Sequence, residues 1–501
     1  MTEGKLRVDA LQSVVDAAKD LAEQMGIGFI LRIQDKKEAM VNINNGVTEE
    51  IATTSLRGMG VQVFSANGYS GFASSDRVNP EEVQTLLRQA VRLADKVKEV
   101  AGEKNQAVFG LSPHQERRLL SLKHPYGSLS LNTIEERLIG MNKELSAIDP
   151  RLSVRTVFRV VDEEWRIARQ DGTDTSFMTP RSFIFNSFAA KEGGKTATTY
   201  SNLPGSDLSV LVDGDNTAKL MKKSVQAAKL ALALLNAGMV KSGSYKLVID
   251  YALAKGLAHE AFGHAAETDG MESSILGRDG RMRLGMEVAA GFLSIIDGPV
   301  EGDYSYQPIS ANGIVRKEVR IVDGGRLRAG LADLFSAAGA GVEVTGAGRV
   351  ESCHHLPLAR MTNIRIELSD FIAVDEDFED ITPEKLYKIL IENELIQEDE
   401  EVLYLTGFQG GQVNPAFGDF VFNCSGIYKL GPEPILYRPA IFSGGILTAL
   451  KSVRAGIGPL KIDAMGTCGK MMQGVPSSGG SHYFLLLDRN PEITIGGEAG
   501  E

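Results

Sequence analysis

The sequence predicts an α+β protein: N-terminal antiparallel sheet units with packed helices, followed by a β-rich C-terminal domain that carries a helix with metal-binding residue types. Three observations predict it. As far as residue 236, runs with three- and four-residue apolar spacing alternate with short strands that turn at Asn-Gly or Asp-Gly pairs, which indicates hairpins with helices laid on them. Beyond that point glycine and short strands dominate. The length of 501 residues exceeds what one core serves. The chain therefore divides into an N-terminal α+β domain, 1–236, itself divisible near 105–130, and a C-terminal β-rich catalytic domain, 237–501.

The first helix is expected to be capped by Asp9, with Leu11, Val14, Ala18, Leu21 and Met25 along one stripe and Gly26 ending it. "FILRIQ" and "EAMVNIN" read as two strands, and "MGVQVFSANGYSGFAS" as two more joined by a two-residue turn at Asn67-Gly68. In "NPEEVQTLLRQAVRLADKV", Asn79 can cap and Pro80 suits the first helical position, with Glu82 placed for a capping box. The pattern is weak from 105 to 130. A helix through "IEERLIGMNKELSAI", a hairpin turning at Asp171-Gly172 and the strand "SFIFNSFAA" then read as a second α+β unit. The next helix places Ala218, Met221, Val225, Ala228, Leu232 and Leu235 on one face and ends at Gly238. "YKLVID", "FLSII" and "EVRIVDGGRLRAG" are short strands of the second half.

Composition narrows the function. Acidic residues outnumber basic ones by 65 to 53, a net charge of -12, and the two signs are interspersed. No basic stripe follows a phosphate backbone, which disfavours nucleic-acid binding. There is no apolar signal region at the N-terminus and no run of eighteen apolar residues, so no membrane association is expected. Cys353, Cys424 and Cys468, an odd and widely spaced set, fit a reducing cytoplasmic setting.

The chemistry concentrates in "LAHEAFGHAAE", which packs His259, Glu260, His264 and Glu267 together in a chain with only seven histidines. In a regular α-helix, residues five apart are separated by roughly 140° around the axis, against about 40° for the four-residue spacing of the commoner zinc motif. A local π-type widening would correct the aim, and Gly263 is the place where the backbone can deform. A catalytic zinc needs a third protein ligand and an open position. Cys468, between small residues in "DAMGTCGKMMQG", is one candidate. Glu267, three residues after His264, is the other, or else a partner that orients a histidine. In "SCHHLPLARMTN", His354 and His355 would point to opposite faces of a strand, so at most one of them could join the pocket.

On "HEAFGHAAETDG", "LARMTN" and "MGTCGKMMQG", supported by "GMGVQVFSANGYSGFAS" and "GSYKLVIDYALAKGLAHE", the chain resembles the TldD/PmbA metallopeptidase family. It is more similar to the metal-bearing TldD-like branch than to the PmbA branch, whose members lack the histidine pair. The resemblance follows the order of these pieces over nearly the whole chain. It implies Zn2+ held by His259, His264 and Cys468, Glu260 as the catalytic carboxylate, and a cytoplasmic peptidase for unfolded or short peptides, as in leader-peptide trimming or antitoxin degradation. It also implies a homodimer or a heterodimer with a PmbA-like subunit. The departure is "VPSSGGSHYFLLLDRN" after Cys468, which includes His482 and bears on substrate preference and pairing.

Zinc lowers the pKa of a bound water toward neutrality, and Glu260 can take the proton as the water attacks a peptide carbonyl. His355, Arg360 and His482 are candidates for the oxyanion donor. Substrate is expected to add as a strand to a sheet edge. The HExxGH spelling also resembles dipeptidyl peptidase III, but no downstream segment supplies that family's glutamate ligand. A non-catalytic peptide-binding subunit is the other reading, and the presence of Glu260 with both histidines argues against it. A DNA gyrase modulator, a name once attached to the resembled family, gains no support from the acidic charge.

Overall fold

A computed structural model of the chain describes residues 5–100 and 104–496. The first helix, α1 (Gln12–Met25), buries Val14, Val15, Ala18, Leu21 and Ala22 and ends at Gly26, whose φ of 62° closes the last turn as only glycine does without strain. Asp9 is not its cap. It lies in a 3-10 turn, Arg7–Leu11, where its carboxylate accepts from the Leu6 N–H at 3.2 Å and from Ser176 Oγ at 2.8 Å, so a distant strand claims the side chain that local pattern assigns to the helix.

The two strands expected next are one, β1 (Gly28–Asn44). The intervening charges do not break it because they are paired, Asp35 with Arg7 of the 3-10 turn at 2.8 Å and Glu38 with Arg159 across the sheet at 2.6 Å. β2 (Val47–Phe64) follows through Asn45-Gly46, both with positive φ, which is the tight two-residue turn of this region. The link from β2 to β3 (Ser70–Ser75) is longer than the two-residue turn expected at Asn67-Gly68: Ser65 N–H donates to the Tyr69 carbonyl at 2.9 Å, and only Gly68 of the pair is left-handed. α2 (Pro80–Glu99) starts as expected, the Asn79 side chain accepting from the Glu82 N–H at 2.8 Å.

After the short β4 (Gln115–Arg118) and α3 (Leu131–Ser146) come β5 (Leu152–Arg169), β6 (Asp174–Met178), β7 (Arg181–Glu192) and β8 (Lys195–Gly205). β1 pairs antiparallel with β5 from Ile30 to Asn44, so the strands on either side of residues 105–130 share one eight-stranded sheet rather than forming a separate second unit. Helix α4 (Gly214–Leu234) packs on β7 and β8 with part of the expected face, Ala228 and Leu235 being buried and Met221, Val225 and Leu232 partly so, and the buried stripe extends to Leu220, Ser224, Ala227, Ala231 and Leu234. Ser224 turns inward because Asn186 donates to its hydroxyl at 3.0 Å and Ser201 bonds it at 2.8 Å, a buried polar contact that an apolar count passes over.

The second half builds a thirteen-stranded mixed sheet among the described residues. Its central strands are β9 (Lys246–Asp250), β10 (Leu293–Gly298), β11 (Val319–Asp323), β12 (Asn363–Leu368), β13 (Val402–Asn414) and β14 (Asp419–Lys429), then β15 (Gly466–Lys470) and β16 (Gln473–Leu487). In space they run β11, β10, β12, β16, β9, β13, β14, and β15 folds back on β16. β9 and β16 are therefore neighbours, paired antiparallel over residues 247–250 and 484–487. Among the described residues no helix is long and apolar enough to cross a membrane.

Two buried arginines tie the halves together. Arg32 on β1 donates to the Ala311 carbonyl at 2.7 Å and to Asn312 Oδ1 at 2.9 Å, and Arg169 on β5 donates to the carbonyls of Asn312 at 2.8 Å and Gly313 at 3.1 Å. Burial pulls Arg32 down to about 9, the mark of a cation held by dipoles alone. Arg32→Ala leaves those acceptors dry and opens a void. The expected cost is about 3 kcal/mol or more, read as a lower urea midpoint; an unchanged midpoint shows that the clamp contributes nothing.

Candidate metal centre

β9 runs directly into helix α5 (Tyr251–Gly256), which is capped by Asp250 accepting from the N–H groups of Ala252 at 3.1 Å and Leu253 at 2.9 Å. The helix does not end there. Leu257–Gly263 continues it as a π-helix, with the His264 N–H bonded to the His259 carbonyl, and His264–Ala266 closes it as a 3-10 turn. An i-to-i+5 bond is what five-residue spacing needs, and it brings the two imidazole centroids to 5.2 Å. Leu257, Ala258, Ala261 and Phe262 on the same turn are fully buried in the core of the second half, so packing holds the widened turn in place.

Gly263 has ordinary helical angles, φ -59° and ψ -48°, so it does not supply the unusual backbone expected of it. Its role is space. A Cβ there would lie 2.1 Å from Met361 Sδ and 3.0 Å from Ile364 Cδ1.

Cys468 reaches the histidines from β15, whose partner β16 lies beside β9. Its Sγ is 3.6 Å from His264 Nε2, close to the roughly 3.5 Å between nitrogen and sulfur ligands on a tetrahedral zinc. One ligand atom each from His259, His264 and Cys468 fall within 4.8 Å of one another. Both ring nitrogens of His259 are buried without a hydrogen-bond partner. Such a histidine is costly unless something binds it, and a metal ion would. Two imidazoles and a thiol are also the donor set zinc prefers.

Glu267 stands behind His264 and outside this group. Its Oε2 is 3.1 Å from His264 Nδ1 and accepts from Lys470 Nζ at 2.8 Å, while Lys470 also bonds Asp269 at 2.6 Å. That arrangement leaves His264 Nε2 facing Cys468. The Arg360 guanidinium donates to the Cys468 carbonyl and, at 3.4 Å, to that of Gln473, holding the β15–β16 hairpin. Glu260 is partly exposed, with Oε2 3.8 Å from His264 Nε2.

The charges fit. Burial, then the neighbouring Lys255 and His264, holds His259 far below its usual range and therefore neutral. His264 is pushed up to about 10: burial opposes its proton, but Glu267 and Cys468 outweigh that. Burial raises the Cys468 thiol, yet His264 and Arg360 bring it below its usual value. The pair is an imidazolium beside a thiol made more acidic than usual.

The other expected residues go elsewhere. Residues 352–355 form a turn rather than a strand, with His354 Nε2 2.9 Å from Asp76 and His355 Nδ1 2.9 Å from Ser352 Oγ. His482 is not a free donor, because its Nδ1 bonds the Gly458 carbonyl at 2.7 Å and its Nε2 accepts from the Leu368 N–H at 3.2 Å. Arg360 spends its terminal nitrogens on the hairpin. Sequence reasoning missed Lys470 and Lys255. The first lies two residues after Cys468 and so on the same strand face, and the second one helical turn before His259; both spacings were readable.

Family models of the PmbA/TldA metallopeptidase C-terminal domain and of the PmbA/TldA metallopeptidase domain 1 match residues 242–472 and 31–94. A metalloprotease of Methanocaldococcus jannaschii is 26% identical over 455 residues, covering 90% of this chain and 94% of that one. A metalloprotease TldD homolog of Haemophilus influenzae is 28% identical over 466 residues, covering 91% and 90%. The solved structure of TldE from Thermococcus kodakarensis shares the fold, with a TM-score of 0.72 at 14% identity over 97% of this chain and 100% of that one.

Because Gly263 is needed for space, Gly263→Ala is expected to push Met361 and the widened turn apart, at about 1–3 kcal/mol. Thermal unfolding reads the loss; a variant as stable as the parent shows that the turn has room to spare.

Proposed function

The chain belongs to the TldD/PmbA metallopeptidase family, and we propose that it is a zinc-dependent peptidase that hydrolyses unfolded or short peptides, with His259, His264 and Cys468 holding the ion and Glu260 as the catalytic carboxylate. The observation that carries this reading is the buried, unpartnered imidazole of His259 facing His264 Nε2 and Cys468 Sγ. The relatives' names support a metal-dependent protease.

When bound, zinc supplies the Lewis acidity that makes water a nucleophile at neutral pH. The rest falls to the chain's own groups. Glu260 follows His259 directly and is a partly exposed carboxylate beside His264, placed to accept the proton of the attacking water and return it to the leaving amine. Glu267, anchored by Lys470, takes the Nδ1 proton of His264 in hydrogen bonding and so fixes the tautomer with Nε2 free. Arg360 fixes the strand that presents Cys468. A peptide that adds to a sheet edge must offer a bare backbone, which favours unfolded chains over folded domains.

The reading includes a dimer, with a PmbA-like chain or with a second copy, as the family resemblance implies. Three free cysteines fit a cytoplasmic location. Each of the two large sheets is built within its own stretch of chain, 28–205 and 246–496, which supports domains at 1–236 and 237–501.

Zinc must displace the proton that the metal-free protein holds on His264 up to about 10. Its apparent affinity should therefore rise roughly tenfold per pH unit between pH 7 and 9. Competition against a chromophoric chelator measures this, and an affinity flat with pH contradicts the assignment.

Glu260→Gln should keep its zinc while losing on the order of a hundredfold or more in peptidase rate. Cys468→Ser and His264→Ala should each lose the metal, because two protein ligands do not hold zinc at ordinary concentrations. Metal analysis beside a peptide-cleavage assay decides it. Full activity in Glu260→Gln ends the hydrolytic mechanism, and full zinc in Cys468→Ser ends the ligand assignment.

A further inference from the structure

The hairpin that carries Cys468 is closed by a turn that its residues do not favour. β15 and β16 are joined at Met471-Met472, between the paired Lys470 and Gln473, and both methionines have left-handed backbone, at φ 46° and 60°. Met471 is 75% exposed and Met472 wholly so. Resting on the peptidase reading above, we propose that these two side chains, with Leu356 beside them, form a substrate-binding element that holds apolar side chains of a peptide a few residues from the bond at the metal cluster.

The first argument is the choice of residues. A two-residue hairpin turn with left-handed backbone at both positions favours Asn, Asp and Gly, and a longer side chain resists it. The chain keeps to that preference at Asn45-Gly46, Gly193-Gly194, Asp279-Gly280 and Gly324-Gly325, each of which closes a hairpin of its own. At Met471-Met472 it departs from it, and two exposed apolar side chains return little to the fold by packing. Residues set against local preference are characteristic of binding sites, where the side chain serves a ligand rather than the fold.

The second argument is place. Met471 follows Cys468 by three residues, and three residues of strand rise roughly 10 Å. An extended peptide covers at most about 3.6 Å per residue. A chain whose scissile bond lies at the cluster therefore brings the side chains a few residues away within reach of the tip. The apolar surface continues from there. Gln473, next after Met472, donates from Nε2 to the Leu356 carbonyl at 3.0 Å. Leu356 in turn lines a groove of about 460 Å³ with Phe72, Leu93, Val97 and Val100, and Leu93, Val100 and Leu356 are exposed. Exposed apolar side chains leading away from the cluster suit a ligand with apolar side chains of its own.

The third argument is the chemistry of methionine. Its unbranched, polarizable thioether adapts to partners of differing shape, which is why it recurs on surfaces that bind many sequences. Unfolded peptides present that variety. Backbone pairing at a sheet edge does not distinguish one unfolded peptide from another, so the tip adds a preference for apolar content without fixing a sequence.

The test uses the full-length chain, with its partner subunit where one is required, and two unstructured nonapeptides: one of Gly, Ser and Gln, and the same peptide with Leu at three positions. Binding to zinc-loaded Glu260→Gln, measured by calorimetry without turnover, should be about tenfold tighter for the Leu peptide. Adding Met471→Asn with Met472→Gly should bring the Leu peptide to the level of the polar one, with zinc content unchanged and a melting temperature no lower, since that pair suits the turn. Leu356→Ser should weaken the Leu peptide in the same direction, by about threefold. Equal binding of the two peptides overturns the proposal without any change at the turn, as does a Leu preference that survives both methionine substitutions. A methionine variant that alters sedimentation of the assembly and keeps the preference makes the tip a subunit contact, which also overturns it. If the wild-type chain cuts both peptides but binding is equal, the proposal fails and the peptidase reading stands. If the Leu preference depends on the methionines but the zinc-loaded wild-type chain cuts neither peptide, the peptidase reading fails and the binding element stands.

Discussion

The π-turn at Leu257–Gly263 is the constraint on which the site depends. An α-helix would point His259 and His264 to different sides, and the widened turn with its His264-to-His259 backbone bond is what lets them face one another. Such a turn is uncommon because it trades good helical bonds for poorer ones. It persists here because the residues around it are buried and tightly fitted, with Gly263 against Met361 and Ile364. Packing outbids local helical preference at this one place, and the site is its product.

The sheet solves a second problem, that of bringing a cysteine to histidines some two hundred residues away in sequence. β9 leads into the histidine helix and β16 leads back from the cysteine hairpin, and the two are hydrogen-bonded neighbours. Both donors thus leave from the same end of adjacent strands, and no long loop has to find the other. The charges then follow from closeness. A neutral His259, an imidazolium at His264 and an acidified thiol at Cys468 share a small buried volume with Lys470, Glu267 and Arg360 around them. Strong pairs hold this arrangement, yet His259 has no hydrogen-bond partner among the described residues, which favours binding of an ion.

Where chemistry is carried by neighbours in sequence, the sequence was a good guide. The Asn79 cap, the Gly26 stop, the Asp171-Gly172 turn and the need for a widened helix between His259 and His264 are all local effects, and all are present. What escaped is non-local. Asp9 serves Ser176 and not a helix end, β1 runs through a charged stretch because its ion-pair partners lie far off in sequence, on the Arg7–Leu11 turn and on β5, and α4 turns Ser224 inward toward Asn186. His355 and His482, attractive as site residues by type, are taken up by Ser352, Gly458 and Leu368. Glu267 could be narrowed to ligand or orienting partner from its spacing, but only the position of Lys470 separates the two.

The hairpin that carries Cys468 is the least comfortable part of the site. Its turn is Met471-Met472, both in the left-handed region at φ 46° and 60°, and both side chains stand exposed. Residues with a Cβ resist that conformation by on the order of 1 kcal/mol each, and two exposed methionines return little by packing. The hairpin is therefore not held by its turn. It is held from the side, by Arg360 on the carbonyls of Cys468 and Gln473 and by Lys470 on Glu267 and Asp269. Lys470 also connects to the histidine helix through Glu267, and Arg360 acts on Cys468 through its charge. Arg360 thus serves twice: it pins β15 in place and, after His264, it lowers the pKa of the cysteine that the strand carries.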